Sequence, residues 1–326
     1  MIIEIVLAIV GLYLILKGSE WVTDASIPLA RHLNTTYVAV GLVLVSVLLS
    51  LPELLVSLSA TFRGYNGIGV GVILGSIIVN IGLIIGISAI IHPLKIPRHV
   101  ITRDAVFMVI ATIVVSLLAL GDMQVSRRDG IILLLLYIPY LINIYEQEKE
   151  LAITERRKES DRIARTLQFI GKVGGAEIVV HNPIWIFIGG MLMLLVGSEL
   201  FTNVLIMLAN NFAIPELLIG LTLGALGPSI PNLAAALQAV KREYDELAVS
   251  ETIGSNIFTL MITLGIVAIA NPLTIDNTTA IVTAPALLIV TLVFFGFVLT
   301  GRVSRRAGLV LFILYILTIV AEIMFR

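Results

Sequence analysis

The chain contains no cysteine and few charged residues. The absence of cysteine among its 326 residues excludes disulfides, thiolate catalysis and metal sites built on cysteine. Charged residues make up 13% of the chain against 58% hydrophobic residues, too small a polar fraction to cover a water-soluble molecule of this length. A net charge of −1 offers no basic surface for nucleic acid. The composition therefore predicts an integral membrane protein with no nucleic-acid partner.

Long apolar stretches are what the chain has in abundance. We read ten of them, and most are long enough to cross a hydrocarbon core of about 30 Å. They lie at residues 2–17, 37–61, 67–91, 103–121, 130–145, 183–198, 215–240, 247–270, 278–300 and 306–324. We therefore expect an all-α membrane protein with ten transmembrane helices. The first and sixth are short in apolar length, and each is expected to continue through a Gly-Ser-Glu element.

The chain contains an internal repeat. Residues 11–94 recur without a gap at residues 190–273, an offset of 179, with 29 of 84 positions identical. Glycine, serine and proline matches carry the most weight, because leucine and isoleucine match by chance in so apolar a chain. They include Gly18-Ser19-Glu20 with Gly197-Ser198-Glu199, Ser50 and Pro52 with Ser229 and Pro231, and Gly75-Ser76 with Gly254-Ser255. Such repeats in a membrane chain suggest a transporter whose site lies where the two halves meet.

The repeat and the polar segments divide the chain into three parts. We predict a first five-helix repeat at 1–145, a polar linker at 146–182 and a second five-helix repeat at 183–326. Seventeen Lys and Arg residues fall on the linker's side of the predicted helices and four on the other side. This bias predicts a multi-pass plasma-membrane protein with a cytoplasmic linker and both termini outside. Five helices per repeat then insert the second repeat upside down.

The second helix of each repeat is interrupted by a Ser-x-Pro element in mid-membrane. The element reads Ser50-Leu51-Pro52-Glu53 in the first repeat and Ser229-Ile230-Pro231-Asn232 in the second. Proline cannot donate a backbone hydrogen bond, so carbonyl groups are freed where they must face protein, water or a cation. A carboxylate at Glu53 costs several kcal/mol at this depth unless it is paired, protonated or coordinated. We predict Glu53 to be a cation ligand; the alternative is a protonated carboxyl that links two helices.

The third helix of each repeat carries small and polar residues on one face. Gly75-Ser76 and Asn80 are spaced to share a face, as are Gly254-Ser255 and Thr259, with Glu251 one turn earlier. These side chains are candidates to complete a cation site. Close packing of helices through small residues is the alternative interpretation, and both can hold together.

These paired elements resemble the alpha-repeats of the calcium/cation antiporter superfamily, most closely those of the short microbial sodium/calcium exchangers. The resemblance lies in Gly41 to Leu54 followed by Gly67 to Gly82, and in Gly220 to Leu233 followed by Gly254 to Gly265. In that family each repeat has a Gly-Thr-Ser-Leu-Pro-Glu element and a Gly-Ser-Asn element. One acidic residue per repeat binds calcium with hydroxyl, amide and carbonyl oxygens, for which sodium competes. Hard cations of this kind take oxygen ligands.

The sequence departs from the family pattern in both repeats. Leu49 and Pro228 replace expected hydroxyls, Asn232 replaces the second acidic ligand, and Thr259 stands where an acidic residue or an amide is frequent. One buried carboxylate would leave a divalent ion with a costly net positive charge. Two interpretations of Glu251 stay open: a relocated second carboxylate, or a half-solvated side chain near the cytoplasmic interface.

The resemblance implies a secondary antiporter that exchanges Ca²⁺ for Na⁺ by alternating access, and not an enzyme. We expect no cofactor, cations and the lipid bilayer as partners, and function as a monomer. The predicted cation ligands are Glu53, Ser50, Ser76, Asn80, Ser229, Asn232, Ser255, Thr259 and Glu251. The alternatives are exchange of Na⁺ for H⁺ through the same site, and a transport-dead membrane scaffold or partner subunit.

Overall fold

A computed structural model of the chain describes residues 2–32, 46–150, 183–241 and 244–325. Seven helices in these ranges are long and apolar enough to cross a membrane, which confirms the predicted class of helical membrane protein. They are Ile3–Val22, Asn66–Ile91, Val100–Gly121, Ile184–Phe212, Asp245–Ala270, Thr279–Leu299 and Arg305–Met324.

The other three predicted stretches are not among these seven helices. The stretch at 37–61 lies partly outside the described residues, and its remainder is interrupted by a turn at Ser50 before the short helix Leu51–Phe62. The stretch at 215–240 is broken by a turn at 227–229. The stretch at 130–145 lies within the helix Arg127–Glu150.

In the first half of the chain, the described residues form six helices and two short strands. The helices are α1 Ile2–His32, α2 Leu51–Phe62, α3 Asn66–Ile78, α4 Gly86–Ile91, α5 Val106–Gly121 and α6 Arg127–Glu150. A π-helical segment, Val79–Ile85, joins α3 to α4, and a second one, Val100–Ala105, leads into α5. The strands are β1 Leu94–Lys95 and β2 Gln124–Val125.

The second half repeats this order at the offset found in the sequence, and adds a short helix and a π-helical segment at 216–224, whose counterparts lie outside the described residues. The helices are α7 Pro183–Phe212, α8 Glu216–Ile219, α9 Ile230–Lys241, α10 Asp245–Phe258, α11 Leu264–Ala270, α12 Ala284–Leu299 and α13 Arg305–Met324. The π-helical segments are Gly220–Gly224, Thr259–Thr263 and Thr279–Thr283, and the strands are β3 Leu273–Thr274 and β4 Arg302–Val303. Adding 179 to the bounds of α2 gives those of α9, and the same offset relates β1 to β3.

Helices α1 and α7 form an antiparallel pair whose close approach is made possible by glycines. A Cβ atom at Gly11 would lie 3.1 Å from the carbonyl oxygen of Gly197, and one at Gly18 would lie 2.7 Å from that of Gly190. Because the later residue of α1 meets the earlier residue of α7, the two helices run in opposite directions. Both continue beyond their Gly-Ser-Glu elements, as the sequence predicts.

The centre of the molecule is built from the continuous spans Asn66–Ile91 and Asp245–Ala270. In their most apolar windows, 94% and 78% of the residues are buried, against 33% for Ile3–Val22. Helices α2 and α9 pack beside these spans. The two halves are therefore joined through a deeply buried core. The peripheral helices present apolar side chains outward.

Two small antiparallel ribbons also join the halves. Strand β1 pairs with β4, and β2 pairs with β3, so each ribbon takes one strand from each half. The first ribbon joins two loops that the charge pattern assigns to the linker's side, with Lys95 opposite Arg302. The second joins two loops assigned to the other side.

Candidate cation site

The Ser-x-Pro elements break both helices as predicted. Ser50 occupies a turn, with φ −94° and ψ −1°, and Pro52 lies in the first turn of α2, where a missing N–H is tolerated. In the second half, the turn at 227–229 precedes α9, whose second residue is Pro231. These breaks bring the residues that follow each turn into the buried centre of the molecule.

All nine predicted ligand side chains are buried. The exposed fraction is 4% for Glu251 and at most 1% for each of the other eight. Burial at this level makes every unpaired polar atom costly, so the hydrogen-bond partner of each one matters.

A chain of hydrogen bonds connects the two repeats. The hydroxyl oxygens of Ser50 and Ser255 lie 2.6 Å apart, and Asn232 Nδ2 donates to Ser255 Oγ at 3.2 Å. The Ser50 hydroxyl donates a hydrogen bond to the backbone carbonyl of Ser46 at 2.8 Å. Ser255 therefore donates to Ser50, and the chain runs in one direction. Asn232 Oδ1 is left without a hydrogen-bond partner among the described residues.

The two carboxylates at the centre are only partly satisfied. The Ser229 hydroxyl donates a hydrogen bond to Glu53 Oε1 at 3.0 Å. Glu53 Oε2 and both carboxyl oxygens of Glu251 lack a hydrogen-bond partner in the described parts of the chain. The backbone carbonyl of Glu251 accepts a hydrogen bond from Ser46, whose own carbonyl accepts one from Ser50, so Glu53 and Glu251 lie in the same buried region. Glu251 is thus a buried side chain and is not half-solvated. Two charges placed together without a cation would repel each other, so the pair requires a proton or a bound cation.

Asn80 makes its contact with a residue of the second repeat. Asn80 Nδ2 donates to Asn256 Oδ1 at 2.9 Å, and Asn256 Nδ2 lies 3.7 Å from the sulfur of Met108. Asn80 Oδ1 has no hydrogen-bond partner in the described structure. Its predicted companions are arranged differently: Ser76 donates to the carbonyl of Ile73 in its own helix at 3.0 Å, and the Thr259 hydroxyl has no described partner.

Glycines allow the helices around the site to approach closely. A Cβ atom at Gly75 would lie 2.8 Å from both Ala225 Cβ and Leu221 Cα, and one at Gly254 would lie 2.5 Å from Ser46 Oγ. Both glycines precede a predicted ligand serine. The packing interpretation of these small residues therefore holds, and it brings the polar side chains together.

Asn256, Ser46 and Met108 line this region but are absent from the predicted ligand set. Asn256 carries a signal in the sequence, because it completes the Gly-Ser-Asn element of the second repeat, where the first repeat has Ile77. Ser46 and Met108 carry none, because their contacts depend on how the halves pack.

The chemistry of the cluster suits a hard cation. In the described ranges no three His, Asp or Glu side chains converge on one point, so a carboxylate-only cage is excluded there. Two carboxyl groups, amide oxygens and hydroxyls supply the oxygen donors that Na⁺ and Ca²⁺ prefer. A helical membrane protein with a buried, oxygen-rich centre between repeated halves has the features of a secondary cation transporter.

The chain belongs to the sodium/calcium exchanger family, which confirms the resemblance found in the sequence. The profile described as "Sodium/calcium exchanger protein" matches residues 3–145 and again residues 182–324. The two matched segments are offset by 179 residues, the same offset as the internal repeat. The chain is therefore a membrane transport protein of an antiporter family.

Two known proteins and one solved structure are similar to the chain over at least 85% of its length. Inner membrane protein YrbG of Escherichia coli (strain K12) is 34% identical over 277 residues, which are 85% of this chain and 82% of that protein. Sodium/calcium exchanger MaX1 of Methanosarcina acetivorans is 26% identical over 96% of this chain and 97% of its own length. The structure of the sodium-calcium exchanger NCX_Mj soaked with 10 mM Na⁺ and 10 mM Sr²⁺ is 29% identical, with a TM-score of 0.65 and 98% of both chains covered.

Proposed function

We propose that the chain is a secondary active cation antiporter that exchanges Ca²⁺ for Na⁺ by alternating access, with Glu53 as the central ligand. The observation that carries this proposal is the pair Glu53 and Glu251, two buried carboxyl groups with three oxygens lacking a hydrogen-bond partner among the described residues. A divalent cation between them neutralises both charges. The family, and the sodium-calcium exchanger whose structure was solved after soaking with Na⁺ and Sr²⁺, support this substrate class.

In this proposal Glu251 is the second carboxylate of the site, in place of the acidic residue lost at position 232. Asn232 and Asn80 each have a carbonyl oxygen with no described partner, and these oxygens complete the coordination of the cation. The serine hydroxyls add further oxygens, while their bonds across the repeats hold the site together. The neutral ligands are Ser50, Ser76, Asn80, Ser229, Asn232, Ser255 and Thr259.

Alternating access is proposed to arise from two inverted five-helix repeats, at 1–145 and 183–326, joined by a cytoplasmic linker at 146–182. Three findings support this arrangement: the family profile matches each half at the repeat offset, the secondary structure recurs at the same offset, and α1 runs antiparallel to its counterpart α7. Working as a monomer in the plasma membrane, the protein would slide α1 and α7 across the core to expose the site on either side.

The glutamates of the two Gly-Ser-Glu elements make different contacts among the described residues. Glu199 on α7 forms an ion pair with Arg63 and accepts a hydrogen bond from Ser59 at 2.5 Å, which ties α7 to the end of α2. Its repeat counterpart Glu20 instead pairs within α1, with Lys17 at 2.8 Å.

The experiment is uptake of radioactive calcium into proteoliposomes that hold the purified full chain. Sodium-loaded vesicles are compared with sodium-free vesicles and with vesicles containing a Glu251→Gln variant. We expect uptake only with an outward sodium gradient, and a collapse of that uptake in the variant.

The other outcomes separate the rival functions. Sodium flux driven by a pH gradient, without calcium uptake, would replace the proposal with Na⁺/H⁺ exchange. The absence of flux under every gradient, together with no cation-dependent thermal stabilisation, would support a transport-dead scaffold. Normal calcium uptake by Glu251→Gln would leave the exchange intact and remove Glu251 from the site.

A further inference from the structure

We propose that Asn256 is a positioning residue, which turns the carbonyl oxygen of Asn80 toward the transported cation. The inference rests on the proposed function, because it assumes that Asn80 is a ligand. Asn256 itself is not assigned to the coordination of the cation.

The two amide side chains are hydrogen-bonded to each other and buried. Asn256 is fully buried and Asn80 is 1% exposed. The donor group of Asn80 gives a hydrogen bond to Asn256 Oδ1 at 2.9 Å. Because the NH₂ and the carbonyl oxygen of an amide point in divergent directions, this bond sends Asn80 Oδ1 away from Asn256. That oxygen has no hydrogen-bond partner among the described residues and is available to a cation.

An amide needs such a partner, whereas a hydroxyl does not. An amide that turns over presents two N–H donors, which repel a cation. The repeat counterpart of Asn80 is Thr259, whose single oxygen carries both the donor and the acceptor functions. The repeat counterpart of Asn256 is Ile77, which has no polar group. The chain thus has a positioning amide for its amide ligand and an apolar residue at the corresponding place for its hydroxyl.

The orientation of Asn256 is itself fixed by its second neighbour. Its NH₂ lies 3.7 Å from the sulfur of Met108, a weak acceptor, while its carbonyl oxygen accepts from Asn80. Turning Asn256 over would place two NH₂ groups against each other. Asn256 in the second repeat therefore controls which atom Asn80 in the first repeat offers to the site.

The test compares Asn256→Leu with Asn256→Asp in the purified full chain. Leucine has a similar size but cannot accept a hydrogen bond, and we expect it to raise the calcium concentration for half-maximal uptake about tenfold, with the maximal rate within about twofold. Aspartate keeps the acceptor, so the half-maximal concentration should stay at or below that of the wild type. Calcium-dependent thermal stabilisation in detergent should rank the variants in the same order.

A double variant separates positioning from a general packing role. In an Asn80→Ala background, Asn256→Leu should have no further effect on the half-maximal calcium concentration, because the oxygen that it aims is absent. If Asn256→Leu fails to fold, Asn256→Ala, which is smaller and also lacks a hydrogen-bond acceptor, replaces it in both experiments.

Two results would overturn the inference on different grounds. A lower unfolding temperature of Asn256→Leu without calcium, combined with an unchanged half-maximal calcium concentration, would assign Asn256 a packing role only. Additive effects of the two substitutions would likewise contradict the positioning role. A wild-type protein that neither transports nor is stabilised by calcium would refute the proposed function instead.

Discussion

At the scale of single residues, Glu53 is the side chain that is most costly to bury and the one on which the proposed cation site depends most. Its side chain is 1% exposed and only one of its carboxyl oxygens has a described hydrogen-bond partner. The sequence predicts this from a carboxylate that follows a proline break in an apolar stretch. It does not predict that the partner would be Ser229 of the other repeat, because that contact depends on how the halves pack.

Replacing Glu53 with glutamine should abolish cation binding. Loss of one member of a buried charge pair costs about 3–5 kcal/mol, which corresponds to a loss of affinity of roughly 100-fold or more. The unfolding temperature without cations should rise, because an amide is easier to bury than a carboxylate. Both quantities can be read from thermal unfolding in detergent with and without calcium.

The matched control is Glu322→Gln, a second fully buried carboxyl group, which lies on α13 and accepts a hydrogen bond from Thr283. We expect the control to keep saturable calcium stabilisation. Equal loss of calcium stabilisation in both variants would mean that any buried carboxylate supports the fold, and that Glu53 has no special role as a ligand.

At the scale of helices, the crossing of α3 with the segment 216–224 depends on glycine. A Cβ atom at Gly71 would lie 2.6 Å from the carbonyl oxygen of Leu217 and 2.8 Å from the Cα atom of Gly220. Backbone atoms cannot rotate away as a side chain can, so the helices must separate. Gly71→Ala should therefore destabilise the protein by about 1–3 kcal/mol, measured as a lower unfolding temperature in detergent.

Gly296→Ala provides the comparison. Gly296 lies inside α12, and a Cβ atom there would meet nothing within 4 Å. Alanine should leave the stability unchanged or raise it by about 0.4–1 kcal/mol through its better helix propensity. A Gly71→Ala variant as stable as Gly296→Ala would show that this crossing tolerates separation.

Helix-scale features were predictable in part. The apolar stretches, the proline breaks and the continuation of α1 and α7 follow from local sequence. The π-helical segments do not, because nothing in their composition distinguishes them from the adjoining α-helix. One of them, Thr259–Thr263, begins at a predicted ligand, and Val79–Ile85 contains its counterpart Asn80. The direction in which each later polar side chain of these spans points therefore depends on the folded structure and cannot be read from the local sequence.

At the scale of the whole molecule, the halves are joined at one end by a histidine contact. His99 Nε2, just before the segment Val100–Ala105, lies 3.0 Å from Glu246 Oε1 at the start of α10. The hydrogen bond to Glu246 raises the pKa of His99 above its usual value, with partial burial and the charges of Arg103 and Asp104 acting as smaller influences. The protonated histidine thus favours the folded state.

The stability of the molecule should depend on pH through this contact. The contribution is fully present below the ordinary histidine pKa of about 6.5 and is lost as the pH rises through the raised pKa of the folded state. The effect should be small, because the pair is partly exposed to solvent. Unfolding temperatures measured from pH 6 to pH 9 should fall less in Glu246→Gln than in the wild type. Parallel curves for the two proteins would exclude the contact as a source of pH dependence.

The amino-acid sequence alone establishes the class of protein, the two-fold repetition of its elements and the residue types at its polar centre. It could do so because hydropathy, proline breaks and repeated motifs are local properties that a membrane interior constrains strongly. Only the tertiary structure decided which half supplies the partner of each polar group. Ser229 reaches Glu53, Ser255 reaches Ser50 and Asn256 reaches Asn80 across distances of more than 170 residues. Such pairings depend on how the two halves pack together, and no property of a single segment encodes them.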